Sequence, residues 1–204
     1  MLRVRIKFCG LTRICGIEAV NELLPEYIGF VFWEKSRRYI TPDNAEALKR
    51  MLDQRVKAVG VFVDESPEAI AEISRRGIID VIQLHGHENE DYISELRTLA
   101  DNPIIKAFRV QNENDVMMAE SCTADFVMLD AGMGTGYSFD WSLLRGMNRQ
   151  YFLAGGLTPH NVREAVRMLK PYAVDVSSGI ETDGVKDAAK MSEFIAALRG
   201  EIVE

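Results

Sequence analysis

Apolar runs divide this chain into short segments of two kinds. Eight runs have the length and composition of β-strands, and most of them end at glycine or at a polar residue. The predicted strands cover residues 4–9, 27–32, 56–63, 80–84, 103–108, 126–129, 151–154 and 173–176. Between them, apolar residues recur at the spacing of one helix face, as Val162, Ala165, Val166 and Leu169 do. The chain therefore alternates strand and helix.

Start signals support several of the helices. Thr12 is placed to cap the first helix, and Thr41-Pro42 and Ser66-Pro67 each pair a capping hydroxyl with a first-turn proline. The second helix is predicted to end at about residue 54. The fifth is predicted at about 113–121 and the last at about 185–198.

Strict alternation predicts a parallel sheet with helices outside it, and eight units predict a closed (β/α)8 TIM barrel. The length of 204 residues is short for this fold, which more often needs about 250. No linker or change in composition interrupts the chain, so we expect one domain over residues 1–204. No GxGxxG follows the first strand, which argues against a Rossmann fold.

Composition narrows the function classes. Hydrophobic residues make up 47% of the chain and charged residues 27%, as in ordinary globular proteins. The net charge of −7 and pI near 5.1 argue against nucleic-acid binding. Neither a signal peptide nor a membrane segment is predicted. The chain has three cysteines, Cys9, Cys15 and Cys122. Because their number is odd and no CxxC pair is present, a reducing cytoplasm is favoured. We expect no metal site, and a monomer or homodimer.

Glycines follow the last two strands. In this fold the loops after strands 7 and 8 commonly bind phosphate through backbone N–H groups. Gly155 and Gly156 follow strand 7, and Ser178 and Gly179 follow strand 8. These four residues predict a phosphate site, with simple strand termination as the alternative.

Two polar residues at other strand ends suit acid–base chemistry, because side chains at the carboxyl ends of barrel strands form the active site. Cys9 is either a small buried hydrophobe or a nucleophile or base, whose thiol pKa Lys7 and Arg5 would lower. Asp130 either turns the chain or acts as a general acid, if partial burial raises its pKa.

Three further residues have open alternatives. Arg38 either lies in a solvated basic loop or offers a guanidinium fork to a substrate carboxylate. His85 is expected to hydrogen-bond within its turn rather than to act in catalysis, and it is also a candidate for binding the substrate. Asp175 should point into the barrel, where it binds a sugar hydroxyl or, as we favour, pairs with Lys7 or Arg5.

The motifs together resemble the phosphoribosylanthranilate isomerases of tryptophan biosynthesis. The segments that carry the resemblance are Lys7-Phe8-Cys9-Gly10-Leu11-Thr12, Gly29-Phe30-Val31-Phe32, Ser36-Arg37-Arg38-Tyr39-Ile40, Gly60-Val61-Phe62-Val63, Gln83-Leu84-His85-Gly86, Leu129-Asp130, Gly134-Thr135-Gly136, Phe139-Asp140-Trp141, Ala154-Gly155-Gly156-Leu157 and Val174-Asp175-Val176-Ser177-Ser178-Gly179-Ile180-Glu181. They span nearly the whole chain in the family's order. Phe8 and Met133 depart from the family's usual residues.

The resemblance implies an Amadori rearrangement that uses no metal or organic cofactor. The family's general base falls on Cys9 and its general acid on Asp130. Its arginine for the anthranilate carboxylate falls on Arg38. Its backbone phosphate site falls on the four residues Gly155, Gly156, Ser178 and Gly179. The substrate is thus expected to be a small phosphorylated molecule.

Two other functions remain open at this point. One is a different enzyme on a related phosphate-binding barrel, such as an indole-glycerol-phosphate synthase or a ribulose-phosphate epimerase. The chain has Lys7 and Lys106 but lacks the synthase's glutamate pattern and the epimerase's paired metal ligands. The other is a barrel that binds a phosphorylated metabolite without turnover, against which the presence of both Cys9 and Asp130 argues.

Overall fold

Eight parallel strands close into a barrel in a computed structural model that describes residues 4–130, 141–144 and 147–199. Each strand pairs with the next along the chain, and the eighth pairs with the first. The strands are β1 (Arg5–Cys9), β2 (Tyr27–Val31), β3 (Lys57–Phe62), β4 (Val81–Leu84), β5 (Ile104–Arg109), β6 (Phe126–Asp130), β7 (Tyr151–Ala154) and β8 (Ala173–Val176). The predicted (β/α)8 barrel is confirmed.

The connections between strands carry the helices. The α-helices are α1 (Ile14–Leu23), α2 (Pro42–Met51), α3 (Pro67–Arg75), α4 (Glu90–Leu99), α5 (Glu113–Ser121), α6 (Val162–Leu169) and α7 (Ala188–Arg199). Among the described residues after β6 there is a 3₁₀ helix, Trp141–Leu144, and a second one, Ser178–Ile180, follows β8. No helix in the described ranges is long and apolar enough to cross a membrane.

Alternation along the strands sorts side chains into two layers. Ile6 and Phe8 belong to the large cluster between strands and helices. Inside the barrel, an apolar cluster that includes Val59, Ile105 and Phe152 forms one group, and Cys9, Val31 and Val61 form another. The predicted outward and inward faces of β1 are therefore confirmed.

Capping explains where several helices begin. Thr41 accepts a hydrogen bond from the backbone N–H of Asn44, and Ser66 accepts one from that of Ala69, both as predicted. The predicted cap at Thr12 is wrong: α1 begins one residue later than that cap requires, and its N-cap, Arg13, makes no side-chain capping bond. The second helix ends at Met51, short of the predicted residue 54.

The predicted start of the last helix at residue 185 is also wrong. Val185–Lys186 forms a strand, β10, that pairs antiparallel with β9 (Glu181–Thr182). Asp183 and Gly184 between them both have positive φ, as the two-residue Asp-Gly hairpin requires. The helix begins only after Asp187, whose carboxylate accepts the N–H groups of the first turn.

Three carboxylates close the amino end of the barrel. Glu26, Asp80 and Asp125 each precede an even-numbered strand and accept a backbone N–H from the odd-numbered strand beside it, at 2.9, 2.7 and 2.8 Å. Each also faces a cation, which is Arg199, Lys49 and Arg97 in turn. These contacts fasten neighbouring strands together.

Candidate active site

Lys7, Cys9 and Asp175 form a buried group inside the barrel. Pairing of β1 with β8 sets Lys7 opposite Asp175, and the Lys7 Nζ lies 2.8 Å from the Asp175 Oδ1. Lys7 is fully buried and Cys9 is 8% exposed. Of the two predicted partners of Asp175, Lys7 and Arg5, the structure shows Lys7, and a positive charge lies beside the thiol.

Space for the thiol comes from the neighbouring strand. Gly29 on β2 lies opposite Cys9, and a Cβ on it would be 2.8 Å from the Cys9 Sγ and 3.3 Å from the Lys7 Nζ. Both contacts are closer than a real Cβ permits without a shift of its neighbours. A glycine is needed at this position because the sulfur and the ammonium already fill the space.

Burial dominates the charge balance of this group. It raises the pKa of the Cys9 thiol, and although the Lys7 ammonium lowers that pKa, the net shift is upward. The expectation of a lowered thiol pKa is thus wrong, because removing a thiolate from water costs more than one nearby cation returns. Burial also lowers the pKa of Lys7, but the charges of Asp175 and Cys9 outweigh it, and that pKa is raised. Lys7 therefore stays charged.

Arg38 lies over the first residue after β1. Gly10 has a φ of +84°, and a Cβ on it would be 2.4 Å from the Arg38 Cδ. The guanidinium donates from Nε and Nη2 to the two carboxylate oxygens of Glu181, at 2.7 and 2.8 Å. This double hydrogen bond raises the pKa of Arg38. One edge of the guanidinium fork is thus bound to the protein's own carboxylate, and its binding to a substrate carboxylate stays a prediction.

Lys186 binds the same carboxylate, at the oxygen that also accepts from the Arg38 Nε. Its Nζ donates to the Glu181 Oε1 at 2.5 Å and to the Ser177 carbonyl at 2.9 Å. The Ser177 hydroxyl donates in turn to the Cys9 carbonyl at 3.1 Å. Burial lowers the pKa of Lys186, whereas for Glu181 the bonds from Arg38 and Lys186 outweigh burial and leave its pKa lowered.

His85 and Asp130 meet across the barrel mouth. The His85 Nε2 is 3.7 Å from the Asp130 Oδ2, an ion-pair distance too long for a direct hydrogen bond. The His85 Nδ1 is 2.9 Å from the Gln83 Nε2. The ring is therefore hydrogen-bonded to a buried glutamine on one side and faces the candidate acid on the other. His87 turns away to Asp64, at 3.0 Å, so the two histidines do not share one site.

The loops after β7 and β8 touch. Gly155 and Gly156 both have positive φ, at 99° and 61°. Gly179 lies so close to the Leu157 carbonyl oxygen that an added Cβ would be 1.9 Å from it. Ser178 begins the short 3₁₀ helix beside it. The four residues predicted to bind phosphate are thus brought to one corner of the barrel mouth.

Some functional candidates were missed from the sequence, and others lie outside the described residues. Glu181 stood in a matched segment without a role, and Lys186 was assigned to a helix; the Asp-Gly signal at 183–184 would have placed both on one hairpin. Gln83 also stood in a matched segment without a role. The segments Gly134-Thr135-Gly136 and Phe139-Asp140, and the departure at Met133, fall outside the described ranges.

Comparisons with known proteins agree on one family. The family model for N-(5'phosphoribosyl)anthranilate (PRA) isomerase matches residues 6–197. An N-(5'-phosphoribosyl)anthranilate isomerase of Thermoanaerobacter sp. (strain X514) is 42% identical over 204 residues, covering 97% of this chain and 98% of that protein.

Solved structures extend the likeness to the fold. A dimeric phosphoribosylanthranilate isomerase from Thermotoga maritima, crystallised as monomers, matches with a TM-score of 0.85 and 37% identity, over 97% of this chain and 99% of that one. A phosphoribosyl anthranilate isomerase bound to reduced 1-(o-carboxyphenylamino)-1-deoxyribulose 5-phosphate matches with a TM-score of 0.87, the same identity and the same coverage.

Proposed function

The chain belongs to the phosphoribosylanthranilate isomerase family, and from this premise we propose that Cys9 is the general base of its reaction and Asp130 the general acid. The protein is an isomerase of tryptophan biosynthesis, and its reaction is an Amadori rearrangement that converts an aldose to a ketose. The substrate is N-(5'-phosphoribosyl)anthranilate, and the product is 1-(2-carboxyphenylamino)-1-deoxyribulose 5-phosphate. The proposal concerns which side chains move the protons.

The substrate is held at its two charged ends. The phosphate binds where the loops after β7 and β8 meet, at Gly155, Gly156, Ser178 and Gly179, because successive backbone N–H groups in glycine turns suit an anion. The anthranilate carboxylate binds Arg38. The relative bound to the reduced product carries a ligand with both groups. The sugar then lies across the barrel mouth between these ends.

Asp130 performs the first proton transfer. It gives a proton to the furanose ring oxygen, so the C1–O bond breaks and a Schiff base forms between C1 and the anthranilate nitrogen. The carboxylate left behind faces the His85 Nε2 at 3.7 Å. We propose that this ring, held through its Nδ1 by Gln83, stabilises the developing negative charge.

Cys9 performs the second. Its thiolate takes the proton from C2 of the Schiff base, and the enolamine that results tautomerises to the ketone. The fully buried Lys7 ammonium beside the sulfur is the observation that carries this assignment, because it lowers the pKa of the thiol against the larger, opposing effect of burial and so favours the thiolate. Asp175 holds the Lys7 ammonium at 2.8 Å.

The setting of the enzyme completes the proposal. We propose a single domain over residues 1–204 that acts in the cytoplasm on a small phosphorylated substrate, without a metal or an organic cofactor. It works as a monomer or a homodimer; the Thermotoga maritima relative is described as dimeric.

A fluorescence assay on freshly made substrate tests the acid. We expect wild type to consume the anthranilate-type fluorescence and Asp130→Asn to lose about 10²–10⁴-fold in rate, the usual contribution of a positioned acid. Asp101→Asn changes an exposed aspartate before β5 and serves as the matched control with full activity. Wild-type rates in Asp130→Asn would contradict the assignment, and an inactive wild type would contradict the whole function.

A further inference from the structure

We propose that Glu181, together with Lys186, is a positioning residue that aims Arg38 at the carboxylate of the substrate. The inference rests on the proposed function, because it deepens the role given there to Arg38. The proposed role of Glu181 does not include proton transfer. Glu181 affects ligand preference: it favours a ligand whose aromatic ring carries a carboxylate over one whose ring is uncharged.

The geometry of the guanidinium leads to this role. A guanidinium offers two edges that each bind a carboxylate through two parallel hydrogen bonds. Glu181 occupies the edge formed by Nε and Nη2 of Arg38. The other edge, formed by Nη1 and Nη2, lies at the end of the side chain. Fixing the first edge therefore fixes the direction in which the second can bind a ligand.

Charge explains why a second cation is needed. Arg38 and Glu181 alone would sum to zero, and the Glu181 carboxylate would repel the carboxylate of a ligand. Lys186 binds Glu181 at 2.5 Å and is only 5% exposed, so its charge is scarcely screened by water. The three side chains together carry one net positive charge. The site keeps a rigid arginine and still attracts an anion.

The hairpin holds this pair in place. Glu181 and Lys186 are directly opposite each other across β9 and β10, so their side chains lie on the same face. The Lys190 Nζ also donates to the Glu181 carbonyl at 2.7 Å, which ties the hairpin to α7. The Glu181 carboxylate is 8% exposed. Its orientation is thus set by hydrogen bonds from two cations, Arg38 and Lys186, before any ligand arrives.

The same network reaches the candidate base. Arg38 passes over Gly10, which directly follows Cys9, and Lys186 connects through Ser177 to the Cys9 carbonyl. A carboxylate bound by Arg38 would therefore be held by the same group of residues that positions the thiol. Correct placement of C2 against the sulfur depends on this connection.

The test compares two ligands on one set of variants. One ligand is reduced 1-(o-carboxyphenylamino)-1-deoxyribulose 5-phosphate, and the other is the same compound with an unsubstituted phenyl ring. Titration calorimetry gives both dissociation constants for wild type, Glu181→Gln and Arg38→Ala. The matched control is Glu46→Gln, which removes a carboxylate that binds Arg50 and Arg76 on the surface.

We expect wild type and Glu46→Gln to prefer the carboxylated ligand strongly, and Arg38→Ala to lose that preference. Glu181→Gln should lose about tenfold of it, the equivalent of one charged hydrogen bond, with little change in affinity for the phenyl ligand. In turnover, its KM should rise by more than its kcat falls. Equal losses for both ligands, or an unchanged preference, would overturn the inference and leave the proposed function standing.

A second variant tests the contribution of the Lys186 charge. Lys186→Met leaves the bonds between Arg38 and Glu181 in place and removes the neutralising charge, together with the hydrogen bonds from its Nζ to Glu181 and Ser177. We expect it to weaken binding of the carboxylated ligand and to spare the phenyl ligand; if the preference survives in this variant, the charge argument is wrong. A wild type that shows no preference for the carboxylate would instead overturn the role of Arg38, and the inference with it.

Discussion

At the amino end of the barrel, Glu26, Asp80 and Asp125 each bind one backbone N–H and one cation. At the carboxyl end, the charges of Lys7 and Glu181 are more deeply buried and bind other side chains. The first arrangement joins neighbouring strands and leaves no charge for a ligand. The second keeps an excess of positive charge around a thiol and an arginine. Similar residue types therefore stabilise the fold at one end and prepare a site at the other.

Removing the candidate base should give the largest effect and the sharpest contrast between the two ends. Cys9→Ala is expected to lower turnover by about 10²–10⁴-fold while binding of the reduced product analogue is retained. Fluorescence kinetics and calorimetry measure the two. The control is Cys122→Ala, since Cys122 is equally buried but lies outside the barrel interior. Intact turnover in Cys9→Ala would rule out its role as base.

Lys7→Met should affect both folding and chemistry. It leaves the Asp175 carboxylate buried without its cation, which typically costs about 3–5 kcal/mol of unfolding free energy. It also removes the charge that lowers the pKa of Cys9, so the rise of kcat/KM with pH should move to higher pH. Denaturant unfolding and a pH–rate profile check these outcomes. Lys57→Met, at an exposed lysine of β3, should change neither.

Asp80→Ala should separate stability from activity at the amino end. The variant leaves the Ala58 N–H and the Lys49 ammonium without their acceptor, and we expect a loss of about 1–3 kcal/mol in unfolding free energy. Its kcat/KM should stay at the wild-type value, because both hydrogen bonds that Asp80 accepts are remote from the thiol. Asp43→Ala, which breaks an exposed pair with Arg76, should cost less than about 0.5 kcal/mol. A tenfold fall in kcat/KM for Asp80→Ala would break the comparison between the two ends.

The smallest expected effect is the dependence of stability on acidic pH through Glu181. Because the pKa of Glu181 is lowered in the folded protein, its contribution to stability is present above its unfolded pKa, about 4.3, and is lost as pH falls below that value. Thermal unfolding of wild type and Glu181→Gln should therefore differ at pH 7, and the difference should shrink as pH falls below about 4.3. A difference that grows on acidification would show that the sign of this pKa shift is wrong.

The barrel and part of its site could be predicted from the sequence. A period of two along β1 correctly placed Lys7 and Cys9 inside and Phe8 outside, because burial is encoded locally in a strand. The same alternation on β8 predicted that Asp175 pairs with Lys7 or Arg5, and the structure decided for Lys7. The roles of Cys9 and Asp130 stay predictions. The direction of the thiol pKa was wrong, because desolvation depends on everything that surrounds the sulfur.

The sequence by itself determined the order of strands and helices, the inward faces and the family to which the chain belongs. Tertiary structure alone decided that Glu181 occupies one edge of Arg38, since these residues are 143 positions apart and meet only when β8 closes on β1. The hairpin that sets Lys186 against that carboxylate is, by contrast, signalled locally by Asp183-Gly184. Periodicity specifies which side chains are buried, whereas barrel closure specifies which buried charges meet.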